Sequence, residues 1–208
     1  MNTQNFKPMT YKGDASWHFM FKAQTEIFHK YMEREKVDSR NLDFDINCYE
    51  DQRLIKDFLQ IRFVEELNEA TLDLDHYDHF EEEMIDALNF LMEVYIIYGW
   101  RYGKELPLWI DCSPEFETKD IPWHKGTEFM AWFYQVIEKV GAACNLLKNR
   151  PWKESQYLVD LELFEPLLRQ VWEEFNTLCI RLDLSKQRLF EVWSQKYQVN
   201  VYRLSTNY

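Results

Sequence analysis

Apolar side chains recur at three- and four-residue spacing along most of the chain, the period that gathers them on one face of a helix. A first helix is predicted from a cap at Asp14 or Ser16 to about Glu35, with Phe19, Ala23, Ile27 and Tyr31 as its buried stripe. The polar stretch 37–46 follows as a connection. Asn47 with Glu50 has the form of a capping box and opens a long second helix through Leu72. Asp78 with Glu81 repeats the device for a third helix that ends near Gly99. The most apolar run, 84–98, is too short to span a bilayer and is interrupted by Asp86, Asn89 and Glu93. It reads as a central helix buried nearly all round. Pro107, Pro114 and Pro122 exclude a long helix from 101–123, a connection long enough to be a functional lid or a linker. Helices are expected again at about 125–147, 161–182 and, capped by Ser185, 186–199, before a tail to Tyr208. The prediction is an all-α bundle of about six main helices, one domain over 1–208.

Composition sharpens this picture. Only five glycines and six prolines in 208 residues favour helices, and an aromatic content of 17% implies a core built with bulky rings. The net charge of −12, with no basic face, argues against polymeric nucleic acid as a partner. Cys48, Cys112, Cys144 and Cys179 have no metal-ligand spacing and read as reduced cysteines of a cytoplasmic protein. The N-terminal residues lack the apolar segment of a leader, and no membrane association is expected.

The charge is unevenly placed. From Phe63 to Trp100 there are eleven carboxylates and no Lys or Arg. They concentrate in Glu65-Glu66-x-x-Glu69 and, after twelve residues, Glu82-Glu83-x-x-Asp86. Glu66 with Glu69, and Glu83 with Asp86, each share a helix face. Joined by a short turn, the two helices pack antiparallel and four carboxylates converge. Such a group repels itself by several kcal/mol unless it binds protons or cations, and hard oxygen donors suit Mg²⁺ or Mn²⁺. A solvated acidic helix face is the bland alternative for either pair taken alone.

The doubled acidic motif resembles the signature of the all-α nucleoside triphosphate pyrophosphohydrolases, the superfamily that holds MazG and the dimeric dUTPases. The C-terminal segment resembles the YxxKNxxNxxRQxxGY ending of dimeric dUTPases and T-even phage dCTP pyrophosphatases. Trp193, Lys196, Asn200, Arg203 and Tyr208 stand at its spacings, with departures at Tyr197, Leu204 and Asn207. The resemblance implies a Mg²⁺-dependent enzyme, with Mn²⁺ as an alternative ion, that hydrolyses a dNTP to dNMP and pyrophosphate in nucleotide-pool control. It implies Glu66, Glu69, Glu83 and Asp86 as metal ligands and Glu66 as the catalytic residue that orients or deprotonates water. Lys196 and Arg203 would meet phosphate, with Asn200 and Tyr208 beside them.

Base recognition by resemblance involves Gln24 and Asn89. Uracil-specific relatives carry a Gln three residues before an Asn, where this chain has Gln24 and Ile27, and a His where it has Asn89. These departures, and the absence of a Trp- and Lys-rich segment after the first motif, argue against strict dUTP specificity, leaving dUTP and dCTP as candidates. A MazG-like enzyme for a purine or noncanonical nucleotide, and a non-catalytic helical binding protein, are the alternatives.

Helices four and five also align with two and three. Val64 to Ala70 matches Ile137 to Ala143, with Lys139 at the Glu66 position and Ala142 at the Glu69 position. Phe80, Met84, Leu88 and Leu91 match Phe164, Leu168, Trp172 and Phe175, with Leu167 for Glu83 and Gln170 for Asp86. This reads as a degenerate internal repeat, and relatives with a fused repeat are homodimers.

Overall fold

The apolar periodicity is realised as helices throughout. The computed structural model describes residues 3–34, 44–73, 76–107, 127–147 and 159–206. The main elements are α1 (Asp14–Arg34), α2 (Tyr49–Lys56), a π-helical segment (Asp57–Phe63), α3 (Val64–Leu72), α4 (Tyr77–Ile97), α5 (Thr127–Leu146), α6 (Leu161–Arg181) and α7 (Lys186–Thr206). Backbone angles stay helical at both junctions of the π segment, so α2, the π segment and α3 form one continuous rod, as the sequence predicts. Among the described residues there is no strand, and no helix is long and apolar enough to cross a membrane.

α4 is the centre. Thirteen of its residues are buried, on more than one face, because α3 and the π segment, α1 and α7 all pack on it. It ends at Gly99, whose φ of 78° lets Trp100 N–H bond Tyr95 C=O at 2.8 Å and Gly99 N–H bond Ile96 C=O at 3.1 Å. α5 and α6 form a second packed pair, and α5 also meets the π segment and α3. Rings join the two halves. Tyr95 stacks on Trp100 at 5.7 Å and meets Trp172 edge-on at 5.6 Å, and its buried hydroxyl donates to Leu168 C=O at 2.7 Å.

Three local expectations give way to tertiary contacts. Neither capping box forms: α2 and α4 begin without a side-chain cap bond. Asn47 Oδ1 instead accepts from Val159 N–H at 3.2 Å, and Glu81 is buried in a two-point ion pair with Arg188 of α7. The stripe of α1 is rotated, because the helix lies against both α4 and α7. Trp17, Met20, Phe21, Ala23, Gln24, Ile27 and Phe28 are buried, Tyr31 is half-buried, and Phe19 is exposed, its ring edge-on to Trp193. Finally, α7 continues past Val199 to Thr206, since no Gly or Pro stops it, and the expected tail is helical up to there. Ser185 caps α7 as predicted, its hydroxyl accepting from Arg188 N–H at 3.1 Å. Described Cys48, Cys144 and Cys179 are free thiols. Pro114, Pro122 and Cys112 lie outside the described residues, as do 35–43 of the first connection.

α6 ends in a turn that puts Asp183 at φ 58°, where Leu184 N–H bonds Cys179 C=O at 2.9 Å. Glycine takes this conformation without the Cβ penalty. Asp183→Gly should therefore stabilise the protein by about 0.5–1 kcal/mol, ~1–4 °C in Tm by thermal melting. An unchanged or lower Tm would contradict this account of the turn.

Candidate metal centre

The turn between α3 and α4 is short, with His76 N–H bonding Asp73 C=O at 2.8 Å, so the two helices run back along one another. This sets Glu66 against Glu83 and Asp86: one carboxylate oxygen from each lies within 4.8 Å of the others. The structure thus gathers three of the four predicted ligands. Glu69, one turn beyond Glu66, is exposed and outside the group, though its charge is still felt by Glu66 and Glu83. Asp73 and His79, which the acidic motif does not include, form a second group with Glu83, their ligand atoms within 4.8 Å of one another.

Burial and crowding act on the acids together. Glu66 is pushed up to about 8, first by burial, then by the charge of Asp86 and by its hydrogen bond to Glu83. In that pairing the protonated Glu66 donates and Glu83 accepts. Glu83 and Asp86 are also raised, chiefly by burial, and Lys196 partly offsets both.

The relief comes from α7. Arg188 grips Glu81, with Nε donating to Oε1 at 2.7 Å, and so docks α7 beside α4. Two turns on, Lys196 Nζ pairs with Asp86 and donates to the Glu82 carbonyl at 3.2 Å. One further turn brings Asn200 to the adjoining pocket. The predicted phosphate contact Lys196 therefore faces a metal-ligand candidate in this structure. Arg203 is exposed near the end of α7, and Tyr208 lies outside the described residues.

The pocket has a volume of about 300 Å³. Glu66 and Asp86 line it on one side, and Phe28, Phe58 and Phe90 contribute rings. Gln24, Asn89 and Glu93 add polar groups, all buried. Arg62, from the π segment, packs over Phe58 at 4.7 Å and Phe90 at 5.8 Å and pairs with Asp57 at 3.1 Å. Glu93 accepts from Gln24 Nε2 at 2.9 Å, and burial raises it to about 7 despite that bond and the charge of Arg62. Glu93 and Arg62 were within reach of sequence reasoning. Glu93 stands seven residues after Asp86 and Arg62 four before Glu66, each on the same helix face. His79 stands four residues before Glu83 on α4 and carried the same signal, whereas Asp73 meets Glu83 only across the turn.

No family model, curated protein or solved structure matches this chain. The acid group makes its own prediction. The folded chain holds a proton on Glu66 up to about 8, whereas the unfolded chain releases it near 4.5. More protons are then bound in the folded state, so stability falls as pH rises between those values, with Glu83, Asp86 and Glu93 acting in the same direction. Thermal melts in EDTA should show a Tm several degrees lower at the upper end of this window, and Glu66→Gln should flatten the trend. A Tm that climbs across the window would refute it.

Proposed function

We propose that the chain is a Mg²⁺-dependent deoxynucleoside triphosphate pyrophosphohydrolase of the MazG and dimeric-dUTPase type. It converts dNTP and water to dNMP and pyrophosphate, with dUTP and dCTP as first candidates. One observation carries the reading: Glu66, Glu83 and Asp86 converge, and two of them also line a pocket walled by rings and amides. The donor set fits the ion. Three hard oxygens raise one another's affinity for protons, and only partial burial leaves room for an ion that keeps waters and shares phosphate. Glu66, Glu83 and Asp86 would hold it, with Glu69 close by; when bound, the ion screens phosphate charge and makes water more acidic.

The chain's own residues supply the rest. Glu66 takes the role that the resemblance implies, orienting the attacking water and accepting its proton once its own has been lost. Lys196 is a point charge able to turn from Asp86 to phosphate, and Arg203, on the same helix, offers a two-point fork. Asn200 lines the pocket between them.

The degenerate repeat belongs to this reading. Burial supports it: Leu67 and Val140, Ala70 and Ala143, Phe80 and Phe164, Met84 and Leu168, Leu88 and Trp172, and Leu91 and Phe175 are buried alike. The second helical pair keeps the packing and lacks the acids. A homodimer follows by likeness to relatives with fused repeats, and light scattering should give twice the mass of the 25.5 kDa chain.

A second reading, a binding protein that keeps the fold without the chemistry, is favoured by Lys196, which already gives Asp86 a cation. Pyrophosphate release across the common dNTPs and NTPs separates the two. The hydrolase requires turnover with Mg²⁺ and none in EDTA. Asp86→Asn and Glu83→Gln should each cost more than about a hundredfold with helical circular dichroism retained, and Glu69→Gln about tenfold. Turnover of no nucleotide would leave the binding protein.

A further inference from the structure

The pocket beside the acid group carries hydrogen-bonding groups that the phosphate chemistry does not use. Gln24, Asn89 and Glu93 are 4%, 7% and 8% exposed and all line it. Each amide has a donor end and an acceptor end, and in both one N–H of the donor end goes to a carboxylate. Gln24 Nε2 donates to Glu93 Oε1 at 2.9 Å, which orients the amide and leaves its oxygen available. Asn89 donates to Asp86, and its Oδ1 is buried with no hydrogen-bond partner among the described residues. Glu93 has no hydrogen bond besides that from Gln24 among the described residues, which leaves its second oxygen. Three acceptors thus share one pocket, and a buried carbonyl without a donor is costly enough to point to a ligand that brings one.

We infer that this pocket selects a nucleobase bearing an exocyclic amino group, with Glu93, Asn89 and Gln24 as the specificity-determining acceptors, and discriminates against uracil and thymine. The inference rests on the pyrophosphohydrolase reading for the phosphate end of the ligand. Cytosine N4, adenine N6 and guanine N1 and N2 all present N–H groups. Uracil and thymine carry one Watson–Crick N–H, at N3 between O2 and O4, so they can serve one of the three acceptors while O4, at the position of the cytosine amino group, is set against the others. Arg62, the pocket's cation, is held by Asp57 and by the faces of Phe58 and Phe90. Those rings, with Phe28, offer faces on which a base stacks without regard to its edge. Among pyrimidines the outcome is cytosine over uracil. The acid group governs whether a triphosphate is cleaved, and these three residues govern which.

Calorimetric titration of the full chain with dCMP, dAMP, dGMP, dUMP and dTMP in Mg²⁺ tests this without requiring turnover. Burial raises Glu93 to about 7, so the titrations belong at about pH 8.5, where it is ionised. The amino-bearing monophosphates should bind at least about tenfold tighter than dUMP and dTMP. Glu93→Gln, which offers an amide donor, should narrow that gap toward dUMP, and Asn89→Leu, which removes the unpartnered oxygen, should narrow it too. The wild-type comparison stands even if a variant fails to fold. Equal or tighter binding of dUMP or dTMP, a gap that neither folded variant changes, or no binding by any of the five overturns the inference. Turnover separates it from the reading beneath it. Hydrolysis blind to the base keeps the hydrolase and removes the selectivity, whereas base-selective binding with no turnover of any triphosphate does the reverse.

Discussion

Repulsion among half-buried carboxylates is the constraint to which the rest of the structure answers. Two unit charges 4 Å apart in protein surroundings interact by about 4 kcal/mol, and Glu66, Glu83 and Asp86 approach within 4.8 Å while each also loses solvation. The chain relieves this by holding a proton between Glu66 and Glu83 and by placing Lys196 on Asp86. Under the proposed function a divalent cation would take the place of the proton, and Lys196 would be free for phosphate. α7 is therefore more than packing. Arg188 fixes it on Glu81, and that anchor brings Lys196 and Asn200 to the group and the pocket beside it.

Groups that repel one another stay together only on a stiff frame. Here the frame is aromatic: Tyr95, Trp100 and Trp172 lock α4 to α6, while Phe21 stacks on Tyr102 at 5.1 Å and meets Trp172 at 5.7 Å. Phe58 and Arg62 come from the π segment, a departure from α geometry that often accompanies functional sites, and its position beside the pocket follows that pattern. The same frame fixes the pocket's amides, since Gln24 and Asn89 each give one N–H to a carboxylate.

Reading the chain without its structure recovers the large features. Period and punctuation place the helix starts to within a few residues, because 3.6-residue spacing, Gly99 and Ser185 act locally, while the end of α7, which no Gly or Pro marks, lies seven residues beyond the expected one. The acid pairs are equally legible: residues three and four apart share a face whatever surrounds them. The capping boxes at Asn47 and Asp78 were the wrong inference, because Val159 and Arg188 offered Asn47 and Glu81 partners that no local motif reveals. The rotated stripe of α1 has the same origin, a helix that must serve two neighbours at once.

Spacing along the chain thus determines the helices, the short turn between α3 and α4, and the meeting of Glu66 with Glu83 and Asp86, for these depend on helical geometry and one connection. It does not determine depth or distant partners. Whether Glu69 joins the group, whether Lys196 faces phosphate or Asp86, and which ends of Gln24 and Asn89 remain free are settled where α1, α4 and α7 meet. Burial and hydrogen-bond pairing belong to the assembled molecule, because each requires an atom supplied by a segment far away in sequence.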